Sequence, residues 1–391
     1  MRGKTARTSH NKQPLPFPPV ILRWFQGDPH LPETPIHVGL IGFGFAGSTF
    51  HAPIIDGVDG LHLAAILQRK GETAAQAYPE ARVVRSLPEM LALNTISLIV
   101  IATPNDSHAP IAKECLLAGR DIVIDKPFAL SYTEAAEVAK LADQHGRLLS
   151  VYQNRRWDGD FKALQKLIAE GDLGRVVTYE SHFDRFRPEL RAGAWREQAG
   201  PGTGVLFDLG PHLIDQALVL FGPPDAVSAD VRLERDGALA DDAFDITLHY
   251  PRRRAYLRAT MLASRAGPHF VVHGTRASYV KFGLDPQEDA LKRGERPKLA
   301  QDWGREPVSA WGTLTLGPVG VPSGRGIPAH AVEERKIPTD PGDYRGYYEN
   351  VRDAIQNKAP LEVTPAAALR TMRVIELAQQ SSREHRVVNF A

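Results

Sequence analysis

The stretch "IHVGLIGFGFAG", residues 36–47, joins an apolar run to three closely spaced glycines. The apolar run predicts a buried β-strand, and the glycines lie where that strand would turn into a helix. Such glycines permit a tight turn and close approach of a pyrophosphate, while the helix N-terminus offers free N–H groups. The turn predicts a dinucleotide site, with glycines that serve only the turn as the alternative. The predicted contacts are Gly42, Phe43, Gly44, Phe45, Ala46 and Gly47.

The next apolar runs continue the same rhythm. They are "LHLAAILQ" (61–68), "TISLIVIATP" (95–104) and "DIVIDKP" (121–127), with helical stretches between them. Strands that alternate with helices and are apolar throughout are typical of a doubly wound parallel sheet with helices on both faces. The sequence therefore predicts an α/β Rossmann domain whose ligand lies at the carboxyl ends of the strands.

After residue 157 the pattern changes to successive strands with few helices. We predict an α+β domain with an antiparallel or mixed sheet. Its strands are predicted at 175–187, 225–235, 241–250, 254–263 and 268–282. Residues 284–342 are rich in proline and glycine and are predicted to form a surface excursion. Two helical stretches close the chain, the second beginning at Thr364 and Pro365, an N-cap followed by proline.

These patterns divide the chain into three parts. Residues 1–35, with seven prolines and no acid before Asp28, are predicted to be a disordered or extended tail. A mis-chosen start codon and a targeting peptide are the alternatives. Residues 36–157 form the predicted dinucleotide-binding domain, and residues 158–391 the substrate-binding and oligomerisation domain.

Composition limits the classes of partner. The 47 basic and 46 acidic residues give a net charge of +1, which provides no general field for nucleic acid or an anionic membrane. No run approaches the ~18 apolar residues of a membrane helix. The single cysteine, Cys115, excludes an internal disulfide and a cysteine-rich zinc cluster, and inert core packing is expected of it. We expect a soluble cytoplasmic protein whose partner is a small molecule.

The segment "ATPNDSH" follows the third long strand. Its backbone is expected to lie at the cofactor edge of the sheet, while Asp106 or Ser107 is a candidate N-cap for the next helix. For the histidine, a structural role and a ligand contact fit the sequence equally well. The candidate cofactor residues are Thr103, Pro104, Asn105 and His108.

In "GVLFDLGPHLIDQALVLFG", Asp208 precedes His212 by four residues, and Pro211 is suited to the first turn of a helix. A histidine in the first turn is disfavoured as a cation, so its neutral, proton-accepting form is favoured. The pair is a candidate catalytic pair, with His212 as general base. The alternative is structural, with Asp208 as a capping acid and His212 as a buried helix residue.

Five motifs in order resemble the glucose-fructose oxidoreductase / inositol dehydrogenase / MocA family, from about residue 36 to the end. The finer pattern, including "VYQNRRWDGDF" and "RFRPELRAGAWRE", is most similar to the NADP-dependent scyllo-inositol dehydrogenase branch. The resemblance implies a Rossmann domain and a C-terminal domain with a large open sheet, through which a homodimer or homotetramer forms. The five motifs are "GFGFAG", "TPNDSH", "DKP", "NRRWDGDF" and "DLGPHLID".

The resemblance also implies roles for single residues. Lys126 corresponds to a catalytic lysine whose bond to Pro127 is often cis, and Asp125 stands where the family usually has glutamate. Asn154 is expected where substrate meets nicotinamide, whereas Arg155 and Arg156 are expected to brace the domains. The family implies Trp195 as an aromatic wall near the nicotinamide. It implies Arg185 and Arg187 as ligands of substrate hydroxyls, although such arginines are more often solvated or paired.

The reaction implied is metal-free hydride transfer between a nicotinamide and a hydroxyl carbon of a cyclitol, polyol or sugar. His212 would take the hydroxyl proton, Lys126 would stabilise the developing alkoxide, and Asp208 would bind a neighbouring hydroxyl or hold the other two. A cofactor-binding sensor without turnover is the alternative from another class. The substrate residues are Lys126, Asn154, Arg185, Arg187, Asp208 and His212; Asp125, Pro127 and Trp195 join the cofactor list, which also includes Lys126 and Asn154.

Cofactor choice depends on the end of the second strand. NAD-binding proteins place an acid there for the ribose 2′-OH, whereas an arginine accommodates a 2′-phosphate. This chain has neutral Gln68 followed by Arg69 and Lys70. The sequence predicts NADP, with NAD as the alternative if the two basic residues form only a solvated turn.

Overall fold

The computed structural model describes residues 34–191, 193–317 and 333–390. Of the predicted N-terminal tail, residues 1–33 lie outside this range, as do residues 318–332 of the predicted excursion. Within the described residues, no helix is long and apolar enough to cross a membrane.

The first half folds around a six-stranded sheet. Every neighbouring pair of strands is parallel, in the order β3-β2-β1-β4-β5-β6. This order is that of a doubly wound Rossmann sheet, so the predicted fold class is confirmed. The short β3 and β6 are additions that the sequence analysis missed. The strands are β1 (Ile36–Ile41), β2 (Leu61–Leu67), β3 (Arg82–Val84), β4 (Leu98–Ile101), β5 (Asp121–Ile124) and β6 (Leu149–Val151).

Two separate cores cover the faces of this sheet. Leu98 and Val100 of β4 belong to one core, and Ile99 and Ile101 to the other, because alternate side chains point to opposite faces. Cys115 is buried in the second core, and burial raises the pKa of its thiol to about 12. The thiol is therefore inert packing, as predicted.

Short helices connect these strands. The first connection is a π-helical turn (Gly47–His51) that continues into α1. Ser131 caps α5 by accepting a hydrogen bond from Glu134 N, while the Glu134 carboxylate accepts one from Leu130 N. Ser131 and Glu134 thus form a capping box at the start of this helix. The helices are α1 (Ala52–Ile55), α2 (Thr73–Ala77), α3 (Leu87–Leu91), α4 (His108–Leu117) and α5 (Tyr132–Gln144).

The second half contains a nine-stranded mixed sheet in the order β14-β13-β12-β11-β7-β10-β9-β8-β15. Among the described strands only β7 and β10 pair in parallel; the others are antiparallel. The stretch predicted as one strand at 268–282 is a hairpin of two. The strands are β7 (Val176–Asp184), β8 (Ala226–Arg232), β9 (Ala243–Tyr250), β10 (Arg253–Thr260), β11 (Phe270–Gly274), β12 (Ala277–Lys281), β13 (Thr313–Leu316), β14 (Glu333–Lys336) and β15 (Val388–Asn389).

Helices cover one face of the second sheet and also return to the first. Tyr347 and Tyr348 of α10 belong to the core on one face of the Rossmann sheet, and Ala378 of α11 to the core on the other. The helices are α6 (Gly159–Ala169), α7 (Gly204–Asp208), α8 (Gly210–Phe221), α9 (Gln287–Lys292), α10 (Arg345–Ile355) and α11 (Pro365–Glu384).

The prediction of a surface excursion at 284–342 is wrong for much of its described part. Asp285 accepts a hydrogen bond from Gly159 N at 2.7 Å, and the buried Trp303 donates to Gln287 Oε1 at 2.9 Å. The strands β13 and β14 extend the sheet edge. Proline and glycine punctuate the segment, but the buried polar contacts that hold it join residues far apart in sequence.

Candidate active site

The glycine-rich turn has the shape that a dinucleotide requires. Gly42 has φ +98°, and a Cβ on Gly47 would collide with the carbonyl oxygen of Gly42. A Cβ on Gly44 would meet nothing within 4 Å. Gly42 and Gly47 therefore need to be glycine, for the turn and for helix packing. Gly44 instead leaves open space where a pyrophosphate can approach.

At the end of β2, Gln68 and the two basic residues that follow it lie in different environments. Gln68 is held locally, since its Nε2 donates to Thr73 Oγ1 and its Oε1 accepts from Ala74 N. Arg69 and Lys70 are exposed. Arg85, which the sequence analysis missed, donates to the carbonyl oxygens of Gln68 and Gly71 and thereby shapes the loop.

For His108 the structure favours the structural alternative over a ligand contact. The His108 ring is buried, with Nδ1 2.8 Å from the Pro127 carbonyl oxygen and Nε2 2.9 Å from that of Thr103. The histidine thus joins the two loops that carry the cofactor edge, and its side chain does not face that edge. Asn105 is also engaged, because its amide donates to Gly202 O at 2.7 Å.

A single cavity brings together many of the predicted residues from distant parts of the chain. Its walls come from the glycine-rich turn, the end of β5, the segment after β6, the end of β7, and the α7–α8 junction. The predicted residues that line it are Phe45, Ala46, Asp125, Lys126, Asn154, Arg185, Arg187, Asp208 and His212. Lining residues without a predicted ligand role are Phe50, Tyr152, Arg155, Arg191, Arg196, Leu209, Glu288 and Lys292.

Lys126 is fixed at the centre of this cavity. Its Nζ donates to Asp208 Oδ1 at 3.0 Å and to the Asp208 carbonyl oxygen at 2.6 Å. Its backbone N–H donates to Asp125 Oδ1 at 2.8 Å, and the bond to Pro127 is cis. The Asp125 carboxylate also lies 3.6 Å from His51 Nε2. Asp125 is thus one support of the lysine loop, and Asp208 fixes the ammonium.

The surroundings of Asp208 favour its charged form, and those of His212 favour its neutral form. Burial raises the pKa of Asp208, but the cations of Lys126 and Arg196 outweigh it and leave that pKa below its usual value. Burial, with the cations of Lys126 and Arg155, holds the pKa of His212 well below its usual value. His212 is therefore neutral, and its Nδ1 has no hydrogen-bond partner among the described residues.

Arg155 and Arg156 are held by ion pairs. Arg156 forms a two-point contact with Asp215, with nitrogen–oxygen distances of 2.7 and 2.6 Å. Arg155 pairs with Asp158 and with Glu288 of α9. Burial raises the pKa of Glu288, but Arg155 and Lys292 bring it down to about 2. These pairs fit the predicted bracing role, although Arg155 also lines the cavity.

Trp195 is not a wall of the cavity. The indole is exposed, with the guanidinium of Arg196 4.5 Å from its ring centroid. The family resemblance implied proximity to the nicotinamide, but the ring of Trp195 is exposed, and Arg196 lines the cavity instead.

Comparison with known proteins identifies the family of this chain. A model described as "Oxidoreductase family, NAD-binding Rossmann fold" matches residues 36–153, and one described as "Oxidoreductase family, C-terminal alpha/beta domain" matches residues 165–390. The chain belongs to the glucose-fructose oxidoreductase / inositol dehydrogenase / MocA family. The first domain of this family member therefore binds a nicotinamide cofactor, in agreement with the open space at Gly44.

Relatives within the family match nearly the whole chain. The uncharacterized oxidoreductase YdgJ of Escherichia coli is 46% identical, over 91% of this chain and 99% of its own. The scyllo-inositol 2-dehydrogenase (NADP(+)) IolW of Bacillus subtilis is 37% identical, over 90% of this chain and 95% of its own. The solved structure of yvaA from Bacillus subtilis has a TM-score of 0.85 at 37% identity, covering 92% of this chain and 99% of that one.

The family member's cavity contains residues that sequence reasoning missed. Arg191 and Arg196 follow Arg185 and Arg187 in one short loop, so the density of arginine was an available signal. Glu288 and Lys292 had no comparable signal. They reach the cavity on α9, whose placement depends on buried contacts with the segment after β6.

Proposed function

We propose that the protein is an NADP-dependent dehydrogenase that transfers a hydride between the nicotinamide and a hydroxyl carbon of a cyclitol, polyol or sugar. The observation that carries the proposal is the meeting of Lys126, Asp208 and His212 in one cavity beside the glycine-rich turn. The name of the Bacillus subtilis relative, a scyllo-inositol 2-dehydrogenase that uses NADP, supports a hydroxyl substrate.

His212 is the proposed general base. Oxidation of an alcohol to a carbonyl removes a hydride from carbon and a proton from oxygen, so a neutral acceptor must lie near the hydroxyl. Burial and nearby cations keep His212 neutral at the cavity wall. In the reverse direction, the protonated ring returns the proton to the carbonyl oxygen.

Lys126 is the proposed stabiliser of the developing negative charge on the substrate oxygen. An ammonium has three N–H donors, and two of them are directed at Asp208. The third is available to the substrate oxygen. Asp208 thus orients the ammonium, and its second carboxylate oxygen remains near the cavity for a neighbouring hydroxyl.

When bound, the cofactor supplies the nicotinamide carbon that accepts or returns the hydride. The turn at residues 42–47 would hold its pyrophosphate, and Arg69 and Lys70 would meet a 2′-phosphate, because neutral Gln68 does not repel it. Asn154 lines the same cavity and would contact substrate or nicotinamide. The proposed reaction uses no metal, because Lys126 supplies the positive charge.

Replacement of Lys126 and His212 tests this proposal. With a polyol or sugar that the parent accepts, Lys126→Ala should lower turnover at least ~10²-fold, the lower range for loss of one donor to a developing oxyanion. His212→Ala should also lower it strongly. The matched controls are Lys140→Ala and His145→Ala, which remove an exposed lysine and an exposed histidine outside the cavity.

Near-normal turnover in both Lys126→Ala and His212→Ala would reject the mechanism. No absorbance change at the reduced-nicotinamide band with any cyclitol or sugar, while cofactor still binds, would favour a sensor protein instead.

We further propose a cytoplasmic homodimer or homotetramer whose partner is a small molecule, not nucleic acid or a membrane. The near balance of 47 basic and 46 acidic residues supports a small-molecule partner over nucleic acid or an anionic membrane.

A further inference from the structure

Four arginines border the cavity on the substrate side. They follow one another at the end of β7 and in the loop after it, and all four line the cavity that contains Lys126 and His212. We call them the arginine cluster. Three of them, all but the first, also line an adjoining pocket. The members of the arginine cluster are Arg185, Arg187, Arg191 and Arg196.

The carboxylates near the arginine cluster are too few to balance it. Asp208 is shared, since its oxygens lie 3.0 Å from Lys126 Nζ, 3.6 Å from Arg196 Nε and 3.8 Å from Arg185 Nη1. Glu197 is shared as well, 3.0 Å from Arg191 Nε and 3.7 Å from Nη1 of a further arginine, Arg235. Arg235 pairs more closely with Asp242, at 2.8 Å. Among the described residues, Asp208 and Glu197 are therefore the two carboxylates that pair with Lys126 and with three of the four arginines of the cluster.

Arg187 is exposed at the edge of the cavity and has no carboxylate partner among the described residues. Each other member of the arginine cluster has one. Burial and the like charges of Arg185 and Arg191 lower the pKa of Arg187, yet a guanidinium remains protonated in proteins. An anion between these side chains would relieve that repulsion.

The remaining cations of the cavity, unlike Arg187, have a carboxylate partner. Arg155 and Lys292 both pair with Glu288. The unbalanced charge is therefore confined to the arginine cluster. The glycine-rich turn, where a pyrophosphate would lie, contributes Phe45 and Ala46 to the same cavity but no cation.

We propose that the substrate carries an anionic group, a carboxylate or a phosphate ester, which binds Arg187 and Arg191 while its reacting hydroxyl lies at Lys126 and His212. A guanidinium binds either group through two parallel hydrogen bonds. The substrate class is then a sugar acid or a phosphorylated polyol or cyclitol. This inference rests on the proposed dehydrogenase function.

Matched neutral and anionic substrates test the inference. For the full-length protein with NADP, kcat/KM would be measured for glucose, glucuronate and glucose 6-phosphate, and for an inositol and its monophosphate. At least one anionic member should exceed its neutral counterpart by about tenfold or more, as expected for a charge-assisted hydrogen bond. Its KM should rise with added NaCl, while that of the neutral compound changes little.

Variants identify the residues responsible. Arg187→Gln and Arg191→Gln should each lower the ratio of anionic to neutral kcat/KM by about tenfold. Arg265→Gln is the matched control, because Arg265 is an exposed arginine after β10 that does not line the cavity. It should leave the ratio unchanged. Thermal unfolding with NADP present gives a readout independent of turnover: the preferred anion should raise Tm in the parent and less in Arg187→Gln.

The outcomes separate the two proposals. Absence of turnover with every compound, but an anion-dependent rise in Tm that Arg187→Gln removes, would reject the dehydrogenase and retain the anion site. Turnover of neutral compounds at equal or higher kcat/KM would overturn the anion site alone. A higher Kd for NADP in Arg187→Gln, with an unchanged substrate ratio, would assign the cluster to cofactor phosphates and also overturn it.

Discussion

At the scale of single residues, Lys126 and His212 line one cavity, and the charge of Lys126 helps to lower the pKa of His212. The ammonium of Lys126, fixed by Asp208 at 3.0 Å, disfavours a second cation at His212. Burial acts in the same direction. One group is thus ready to donate a hydrogen bond, and the other is ready to accept a proton.

The low pKa of His212 makes a prediction about pH. The base works when neutral, and its pKa in the folded protein lies well below the usual 6.5. In the oxidation direction, kcat/KM should therefore stay flat as the pH falls through 6.5 and decline only at lower pH. A pH profile measured with saturating cofactor checks this. Half-loss of kcat/KM at or above pH 6.5 would show that His212 is not the base in this state.

Arg69 makes the prediction about cofactor choice. A charge-assisted hydrogen bond to the 2′-phosphate contributes roughly 1.5 to 3 kcal/mol, equivalent to a preference for NADP of about ten- to a hundredfold. Arg69→Ala should remove that preference, as measured by kcat/KM for the two cofactors. Arg82→Ala, an exposed arginine on β3, serves as control. A parent protein that prefers NAD, or a preference for NADP that persists in Arg69→Ala, would contradict the assignment of NADP specificity to Arg69.

At the scale of elements, the site depends on where helices begin and end. Asp208 is the last residue of α7, and His212 lies in the first turn of α8, so one sharp junction presents both side chains to Lys126. The C-terminal helix α11 packs on α5, α8 and β8 and so connects the two sheets. Its stability therefore affects both halves of the cavity.

The cap of α11 can be tested directly. Thr364 accepts a hydrogen bond from Ala367 N at 3.2 Å, ahead of Pro365 in the first turn. Thr364→Ala should lower the free energy of unfolding by about 1 kcal/mol, the usual effect of losing an N-cap. Thr364→Ser should keep most of it, since the hydroxyl remains. Urea unfolding at one fixed protein concentration measures the difference; equal midpoints for parent and Thr364→Ala would contradict the role of the cap.

At the scale of the whole molecule, the face of the nine-stranded sheet away from the helices is the face through which the family resemblance implies assembly. Outward positions on β7, β9 and β10 carry polar and charged side chains, with Arg258 paired to Asp245 at 2.5 Å. Assembly through this face would use hydrogen bonds and ion pairs as well as area, because the inner positions, such as Ala255 and Leu257, are buried under the helices.

The assembly prediction remains to be measured. Light scattering at micromolar concentration should give two or four times the 43.0 kDa of one chain. Arg258→Glu places a like charge beside Asp245 on the proposed face and should shift the equilibrium toward smaller species. The exposed Arg82→Glu on the Rossmann sheet is the control. A parent mass of one chain would refute assembly under these conditions.

The family resemblance pointed to Lys126, Asp208 and His212, whereas the Rossmann sheet and the mixed second sheet were predictable from local patterns. Local rules suffice for these two sheets: apolar runs of strand length, and glycines that a turn requires. The cap at Thr364 belongs to the same class. The contact of that cap lies within three residues of Thr364, whereas Lys126 and Asp208 are 82 residues apart and meet only in the folded protein.

Only the tertiary structure decided the rest of the site. The ring of Trp195 is exposed, which no sequence motif indicated. The burial of His108 and the use of Arg85 to shape the β2 loop depend on partners 19 and 17 residues away in the sequence. So does the entry of Glu288 into the cavity, which requires an ion pair with Arg155, 133 residues earlier. Charge balance within a cavity depends on all the residues that line it and on the distances between them. Those distances follow from the fold and cannot be read from the order of residues in the chain.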